Sequence, residues 1–272
     1  MAVTMEEIKK LRNMTGAGMM DCKNALNESA GDMEKAIELI RKRGQAIAAK
    51  RSDRAAAEGC VLAAAKPGFA AIVAVKCETD FVAKNADFVA LTQKLLDAAM
   101  NEQFESADAL LNFKIDGRTV ADLITERSGV TGEKMELGYY EFVKGAYTVE
   151  YMHPGNKLAT IVAFAEENVE RQVARDIAMQ AAAMNPVALN RNEVPEDIKA
   201  KELEIGKEKA REEGKPEAIL ERIAMGRLDK FFKESTLMEQ EFIKDSKQSV
   251  TDYCKANHAT PTSFKRVNLN QD

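Results

Sequence analysis

Cys60-Val61-Leu62-Ala63-Ala64-Ala65, then Lys66-Pro67-Gly68, then Ala70-Ala71-Ile72-Val73-Ala74-Val75, reads as two β-type runs around a tight turn. Pro at the second turn position and Gly at the third suit a type II turn, because Pro presets a negative φ and Gly accepts a positive one. The pattern recurs as Tyr147-Thr148-Val149-Glu150-Tyr151, His153-Pro154-Gly155 and Leu158-Ala159-Thr160-Ile161-Val162-Ala163-Phe164, with the two turns 87 residues apart. Each hairpin precedes an amphipathic helix. Phe88, Leu91, Leu95 and Ala98 keep helical spacing after the first; Val169, Val173, Ile177, Gln180 and Met184 do so after the second, where Gln180 alone breaks the stripe. Strand–strand–helix, twice, predicts an α+β fold whose core is two related antiparallel-sheet/helix subdomains, at 58–137 and 138–196. Asn112 to Ser128 adds a short strand and helix to the first.

Upstream, residues 1–57 read as a separate helical bundle with a basic linker. Thr4 and Glu7 make a capping box ahead of Ile8 and Leu11. Gly16-Ala17-Gly18 breaks that helix, a second runs from about Met19 to Glu28, and Gly31-Asp32 stops it and caps a third through Met33, Ala36, Ile37 and Ile40. Residues 41–57 are expected as the linker, with Arg41, Lys42, Arg43, Lys50, Arg51 and Arg54 against Asp53. Eleven basic and eight acidic side chains give residues 1–57 a charge of +3, against 28 and 36, or −8, for the remainder. Such asymmetry can mark an RNA-binding arm. No aromatic interleaving for base stacking accompanies it, so a solvated helix face is the simpler reading.

Downstream, Asp197 to Glu213 is mostly Glu and Lys with a thin apolar set at Ile198, Leu203, Ile205 and Ala210. Gly214-Lys215-Pro216 turns the chain into a return helix carrying Ile219/Leu220, Ile223/Ala224, Leu228 and Phe231/Phe232. A thin stripe on two antiparallel helices predicts a protruding coiled-coil arm at 197–233. Residues 234–272 then return to the core and end in a helix/strand module, with a strand at Ser263 to Leu269.

Composition narrows the function. Of 272 residues, 45% are hydrophobic and 31% charged, the balance of a globular chain. The net charge of −5 disfavours binding nucleic acid over the whole surface, since phosphate contacts need a positive field. The start, Met-Ala-Val-Thr-Met-Glu-Glu, lacks the basic and apolar regions of a signal peptide, and no apolar run is long enough to span a bilayer. Cys22, Cys60, Cys77 and Cys254 form no C-x-x-C pair, and His153 and His258 are the only histidines, so a metal site is not expected. A soluble, reduced, cytoplasmic protein without cofactor follows. Enzyme motifs are missing too: Gly16-Ala17-Gly18 lacks the third glycine and preceding strand of a dinucleotide site, and no G-x-x-x-x-G-K occurs. The chain is not expected to be an enzyme.

The two copies differ at one place. After Val75 the first carries Lys76-Cys77-Glu78-Thr79-Asp80-Phe81-Val82-Ala83-Lys84-Asn85, where the second has only Glu166-Glu167-Asn168. Thr79 or Asp80 suits a helix N-cap, and cap physics alone favours Phe81 as a hydrophobic staple folded onto its helix. The sharper reading presents a carboxylate and an aromatic ring to a partner, where the ring supplies burial energy and the charge can compete for a cation or its ligands.

These residues also carry a resemblance. Met14-Thr15-Gly16-Ala17-Gly18-Met19-Met20-Asp21-Cys22-Lys23-Asn24-Ala25-Leu26 and Cys77-Glu78-Thr79-Asp80-Phe81-Val82-Ala83-Lys84-Asn85 resemble the N-terminal and core signatures of the bacterial elongation factor Ts family. Tyr151-Met152-His153-Pro154-Gly155 and the tract from Gly226-Arg227 through Phe231-Phe232 to Lys244-Asp245-Ser246-Lys247 match in order, so the likeness spans nearly the whole chain. Asn156 stands where relatives often have a second Gly, and Glu241 where many have Pro.

The resemblance implies a UBA-like three-helix bundle at the N-terminus and a guanine-nucleotide exchange factor for the GTPase elongation factor Tu, in its GDP-bound and nucleotide-free states. By it, Thr79, Asp80, Phe81 and Val82 approach the GTPase near its Mg²⁺, with Phe81 wedging between helices and Asp80 supporting displacement of the metal. Met19 and Met20 would touch the GTPase domain, and His153 another domain of the same partner. Adjacent helical positions cannot both face one small core, which leaves at least one of the two methionines for such a contact. Neither nucleic acid nor membrane is expected as a partner. The rival is an RNA- or ribosome-binding scaffold using the basic 41–54 segment.

Overall fold

A computed structural model describes residues 3–270. Residues 1–2 and 271–272, the outer ends of the first and last predicted modules, lie outside the described residues. The capping box forms as read: the Thr4 hydroxyl accepts from the Glu7 N–H, and the Glu7 carboxylate accepts from the Thr4 N–H, starting α1 (Met5–Thr15). Gly16, at φ +70°, ends α1 in the left-handed conformation that glycine adopts without steric penalty. Helix α2 is Met19–Glu28, and the Asp32 side chain caps α3 (Met33–Lys50). Ile8, Leu11, Cys22, Ala25, Leu26 and Ala36 close the bundle core.

One expectation changes here. Residues 41–50, read as linker, continue α3 as helix, so only residues 51–57 connect the bundle to the first strand. Arg, Lys, Gln and Ala are good helix formers, and the single weak residue, Gly44, is buried where α3 crosses a later helix.

Strands β1 (Glu58–Lys66) and β2 (Gly68–Cys77) pair antiparallel with Lys66 opposite Phe69, so Pro67-Gly68 is the whole turn and Gly68 sits at φ +89°. Helices α4 (Asp80–Ala83), α5 (Ala86–Glu102) and α6 (Ala107–Asn112) follow, then the small hairpin of β3 (Lys114–Ile115) and β4 (Arg118–Thr119), and α7 (Val120–Thr131). β5 (Glu136–Gly145) joins the far side of β2 as a third strand. The boundary expected between 137 and 138 therefore falls inside a strand. Gly138 and a register shift at Ala74/Val75 interrupt the alternation that marks a strand in sequence.

The second copy gives β6 (Tyr147–Met152) and β7 (Leu158–Phe164), followed by α8 (Arg171–Met184). The arm helices are α9 (Glu196–Glu212) and α10 (Glu217–Ser235), turned by Gly214 at φ +72° and packed closely where Gly206 meets Ala224. The tail supplies β8 (Glu241–Phe242), β9 (Asp245–Ser249), α11 (Val250–Ala256) and β10 (Pro261–Asn268). β10 completes the second sheet, in the order β10-β7-β6. Gln180, the break in the α8 stripe, is fully buried: its amide donates to Gln240 and to the Glu241 carbonyl, and its Oε1 accepts from the Ile243 N–H. The polar residue thus fastens the returning tail to the helix.

The two sheets pack face to face. Val61, Ala63, Ala70, Ile72 and Ala74 of the first meet Ala159, Ile161, Ala163 and Val267 of the second. The outer faces, with Leu62, Phe69, Val73 and Val75 on one side and Val149, Val162 and Phe164 on the other, are covered by α5 and α8. The result is helix, sheet, sheet, helix, and both faces of β1, β2 and β7 are buried, which is why they read as continuous apolar runs.

The bundle docks through α3 on α7. Gly44 and Gly129 face each other at the crossing, and a Cβ built on Gly129 would lie 2.1 Å from the Gly44 Cα. Arg41 adds ion pairs to Asp122 at 2.7 Å and Glu126 at 3.5 Å. Gly129→Ala gains helix propensity of about 1 kcal/mol, but it must push the two backbones apart. A net loss of about 1–3 kcal/mol is expected, read as a lower urea midpoint.

Candidate functional site

The residues that set the two copies apart form one short turn beyond β2. The Cys77 thiol donates to the Thr79 carbonyl at 3.3 Å, and Thr79 caps α4 by accepting from the Val82 N–H at 3.4 Å. A helix of four residues does not sustain itself, because nucleation fixes several dihedrals for a single hydrogen bond. Its support comes from across the fold. Glu133 Oε2 accepts the N–H groups of Glu78 and Thr79, each at 3.1 Å, and Oε1 accepts the Thr79 hydroxyl at 2.6 Å. In return, Glu78 Oε1 accepts the Lys134 N–H at 2.7 Å, while Arg51 and Arg54 reach Glu78 Oε2 at 3.2 and 3.7 Å.

Within this frame the side chains diverge. Val82 packs against the first core, and Ala83 is buried. Asp80 pairs with Lys84 at 2.7 Å, and the hydrogen bond from Lys84 holds its carboxyl below the usual range. Asp80 is thus an anion throughout the neutral range. Phe81 is 84% exposed, the most exposed of the large hydrophobic side chains described. The staple reading fails. Val82 and Ala83 take the inward side of the turn, and the Phe81 ring is left in solvent.

The other expected contacts stand on separate elements. Met19 packs against the bundle core while its neighbour Met20 is 64% exposed on α2. His153 is exposed on the β6–β7 turn, with Nδ1 3.0 Å from the Tyr151 hydroxyl. Asn156 takes φ +54° there, a left-handed position that Asn tolerates better than most residues, so the turn keeps its shape without a second glycine. The Asn156 carbonyl accepts the Val61 N–H at 2.8 Å, and Lys157 pairs with Glu58, which lies opposite Cys77 in the β1–β2 register. The His153 turn is therefore tied to the end of the first sheet from which the Thr79–Val82 turn departs.

Glu78, Glu133 and Arg51 have no place in the sequence-based list of site residues. Glu133 lies in a loop, 54 positions from Thr79, and no spacing rule connects the two. Five of the six cations of the basic segment are paired inside the molecule. Arg41 pairs with Asp122 and Glu126, Lys42 with Glu38, Arg43 with Glu28, and Arg51 and Arg54 with Glu78. Cations so engaged leave little free field for phosphates, which weighs against the RNA-binding rival.

The thiols are withdrawn from solvent. All four cysteines are free and buried, and burial raises the thiols of Cys60 to about 11 and of Cys77 and Cys254 to about 12. Among the described residues, no group of three or more His, Cys, Asp or Glu side chains could hold a metal ion, and no helix is long and apolar enough to cross a membrane.

An exposed ring on a braced turn, beside a charged carboxylate, has the form of a docking element. Comparison with known proteins agrees with a role played through a partner. Residues 78–271 match the family model described as Elongation factor TS. The chain is 61% identical to elongation factor Ts of Porphyromonas gingivalis, with 100% of both chains covered. It is 54% identical to that of Azobacteroides pseudotrichonymphae over 100% of both, and 47% identical to that of Flavobacterium psychrophilum over 98% of both. The chain belongs to the elongation factor Ts family. Membership implies nucleotide exchange on elongation factor Tu in translation elongation, a task without bond chemistry by the chain itself.

The sequence has no tryptophan, so Phe81→Trp introduces a single reporter. It is expected to emit as a solvated indole, fully quenchable by iodide, in the isolated protein. Thiol titration at pH 8 is expected to find no reactive cysteine in the native protein and four after denaturation.

Proposed function

We propose that this chain speeds GDP release from elongation factor Tu in the cytoplasm by inserting the Thr79–Val82 turn beside the GTPase's Mg²⁺ and phosphate site. Phe81 is the wedge. Its ring gains burial only when a partner supplies the pocket, and a buried aromatic is the strongest kind of anchor available to an interface. Asp80 enters with it as a fixed negative charge that disfavours the metal's ligand arrangement. It does not capture the ion, because one carboxylate makes a poor magnesium site. As the Mg²⁺ loses its place, the charge that neutralises the GDP phosphates goes with it, and diphosphate affinity falls.

Met20 and His153 serve as the flanking contacts, on the bundle and on the second sheet. Together with the wedge they bind the nucleotide-free partner best. Linkage then requires reciprocity: a factor that weakens nucleotide binding is itself weakened equally by nucleotide, so incoming GTP displaces it.

The observation that carries this reading is the exposure of Phe81 on a turn whose neighbours are held by Glu133. Stopped-flow release of a fluorescent GDP from elongation factor Tu tests it. Phe81→Ala is expected to fold as wild type, within about 0.5 kcal/mol, because the ring touches little of its own protein. Its GDP release is expected to be at least about tenfold slower, equivalent to about 1.4 kcal/mol of barrier. Asp80→Ala/Phe81→Ala is expected to be slower still. Release at the wild-type rate by Phe81→Ala would refute the wedge.

A further inference from the structure

We infer that Glu133 is a positioning residue for nucleotide exchange: its carboxylate, received by Glu78 and Thr79, holds the α4 turn in the shape that aims Phe81 before any partner arrives. The inference rests on the wedge reading above and extends it to a residue outside the Cys77–Asn85 segment.

Three donors converge on one side chain. The Glu78 and Thr79 N–H groups point at Oε2 and the Thr79 hydroxyl at Oε1. Successive backbone N–H groups around one oxygen form a small anion-binding concavity, and here the anion is built into the chain. The clasp closes from the other side through Glu78, which accepts the Lys134 N–H next door to Glu133. Glu133 is anchored in turn, because its carbonyl accepts the Ser128 hydroxyl from the last turn of α7. Beside this clasp, the four-residue helix is held by the inward packing of Val82 and Ala83, its own backbone hydrogen bonds, Thr79 capping Val82, the Cys77 thiol on the Thr79 carbonyl, and the Asp80–Lys84 pair at the surface.

Order at this turn decides how binding energy is used. If the turn is already shaped, burial of the ring acts on the GTPase. If it is loose, part of the same energy goes into freezing the turn, and the push on the GTPase weakens. Remote contacts such as Met20 and His153 are untouched in either case. Loss of the clasp should therefore lower the maximal rate of GDP release and leave the half-saturating concentration of the factor nearly unchanged.

Glu133→Ala removes both acceptor oxygens and with them all three hydrogen bonds. Glu133→Gln keeps an amide oxygen for the two N–H groups and turns its NH₂ toward the Thr79 hydroxyl, which can accept instead of donate. The experiment measures GDP release from elongation factor Tu against factor concentration for wild type, Phe81→Ala, Asp80→Ala/Phe81→Ala, Glu133→Ala, Glu133→Gln and Phe81→Ala/Glu133→Ala. Hydrogen exchange at Glu78, Thr79 and Val82 is followed in parallel. Glu133→Ala is expected to lose at least about fivefold in maximal rate with less than about twofold change in half-saturation, and to exchange those amides faster. Glu133→Gln is expected within about twofold of wild type. The Phe81→Ala/Glu133→Ala variant is expected to be no slower than Asp80→Ala/Phe81→Ala, because Glu133 acts only through the turn that carries those two side chains.

A wild-type maximal rate for Glu133→Ala, with Phe81→Ala slow, overturns the positioning role and leaves the wedge standing. So does a Phe81→Ala/Glu133→Ala variant slower than Asp80→Ala/Phe81→Ala, or a loss shared by the well-folded Glu133→Gln. If Phe81→Ala itself exchanges normally, the wedge falls and this inference with it.

Discussion

The packing of two sheets through small side chains sets the geometry of everything else. Alanine at positions 63, 70, 74, 159 and 163 lets the inner faces approach, with Val61, Ile72 and Ile161 filling the gaps between them. Gly145 shows how close the approach is, since a Cβ there would lie 2.8 Å from the Ala163 side chain. A layer this thin joins two halves, each of which would otherwise present an apolar sheet face to water. It also places the His153 and Phe81 turns in one frame. The Asn156 carbonyl reaches the Val61 amide, and Glu58 meets Lys157, so the turn bearing His153 cannot shift without disturbing the strand that pairs with the root of α4.

Against that background the Phe81 turn is a deliberate inconsistency. Leaving a phenyl ring in water forgoes about 1.5–3 kcal/mol of burial. Nothing in the local chain forces it outward; what does so is a framework in which Val82 and Ala83 already occupy the inward positions and Glu133 fixes the backbone behind them. The unfavourable exposure is tolerable because the surrounding core is large and the turn is short. In the proposed exchange role its counterpart is a binding surface that needs little rearrangement, which is the condition under which contact energy can be turned on a partner's structure.

The bundle is bound into the same arrangement. Its long third helix crosses α7 at the paired glycines, and Arg51, just past the end of that helix, reaches Glu78 at the base of the site. Met20 and Phe81 therefore ride on elements that touch one another through α7 and the Glu78–Glu133 clasp. The contacts proposed for exchange on elongation factor Tu thus lie on one braced frame.

Much of this was legible in the chain itself. Paired Pro-Gly turns, apolar runs and helical stripes located the strands and helices of both copies, because local periodicity and turn chemistry depend on neighbours only a few residues away. The Thr4–Glu7 box, the Asp32 cap and the left-handed Gly16, Gly68 and Gly214 are of that kind. The segment after Val75 stood out because its repeat partner lacks it. Other features depended on residues brought from far along the chain. The third strand at 136–145, the helical course of residues 41–50, the burial of Gln180 and the outward ring of Phe81 were settled by tertiary contacts. The reason is physical: a residue's spacing says which face it shares, but whether that face meets water, a sheet or a distant carboxylate such as Glu133 is decided by which surfaces the whole fold brings together.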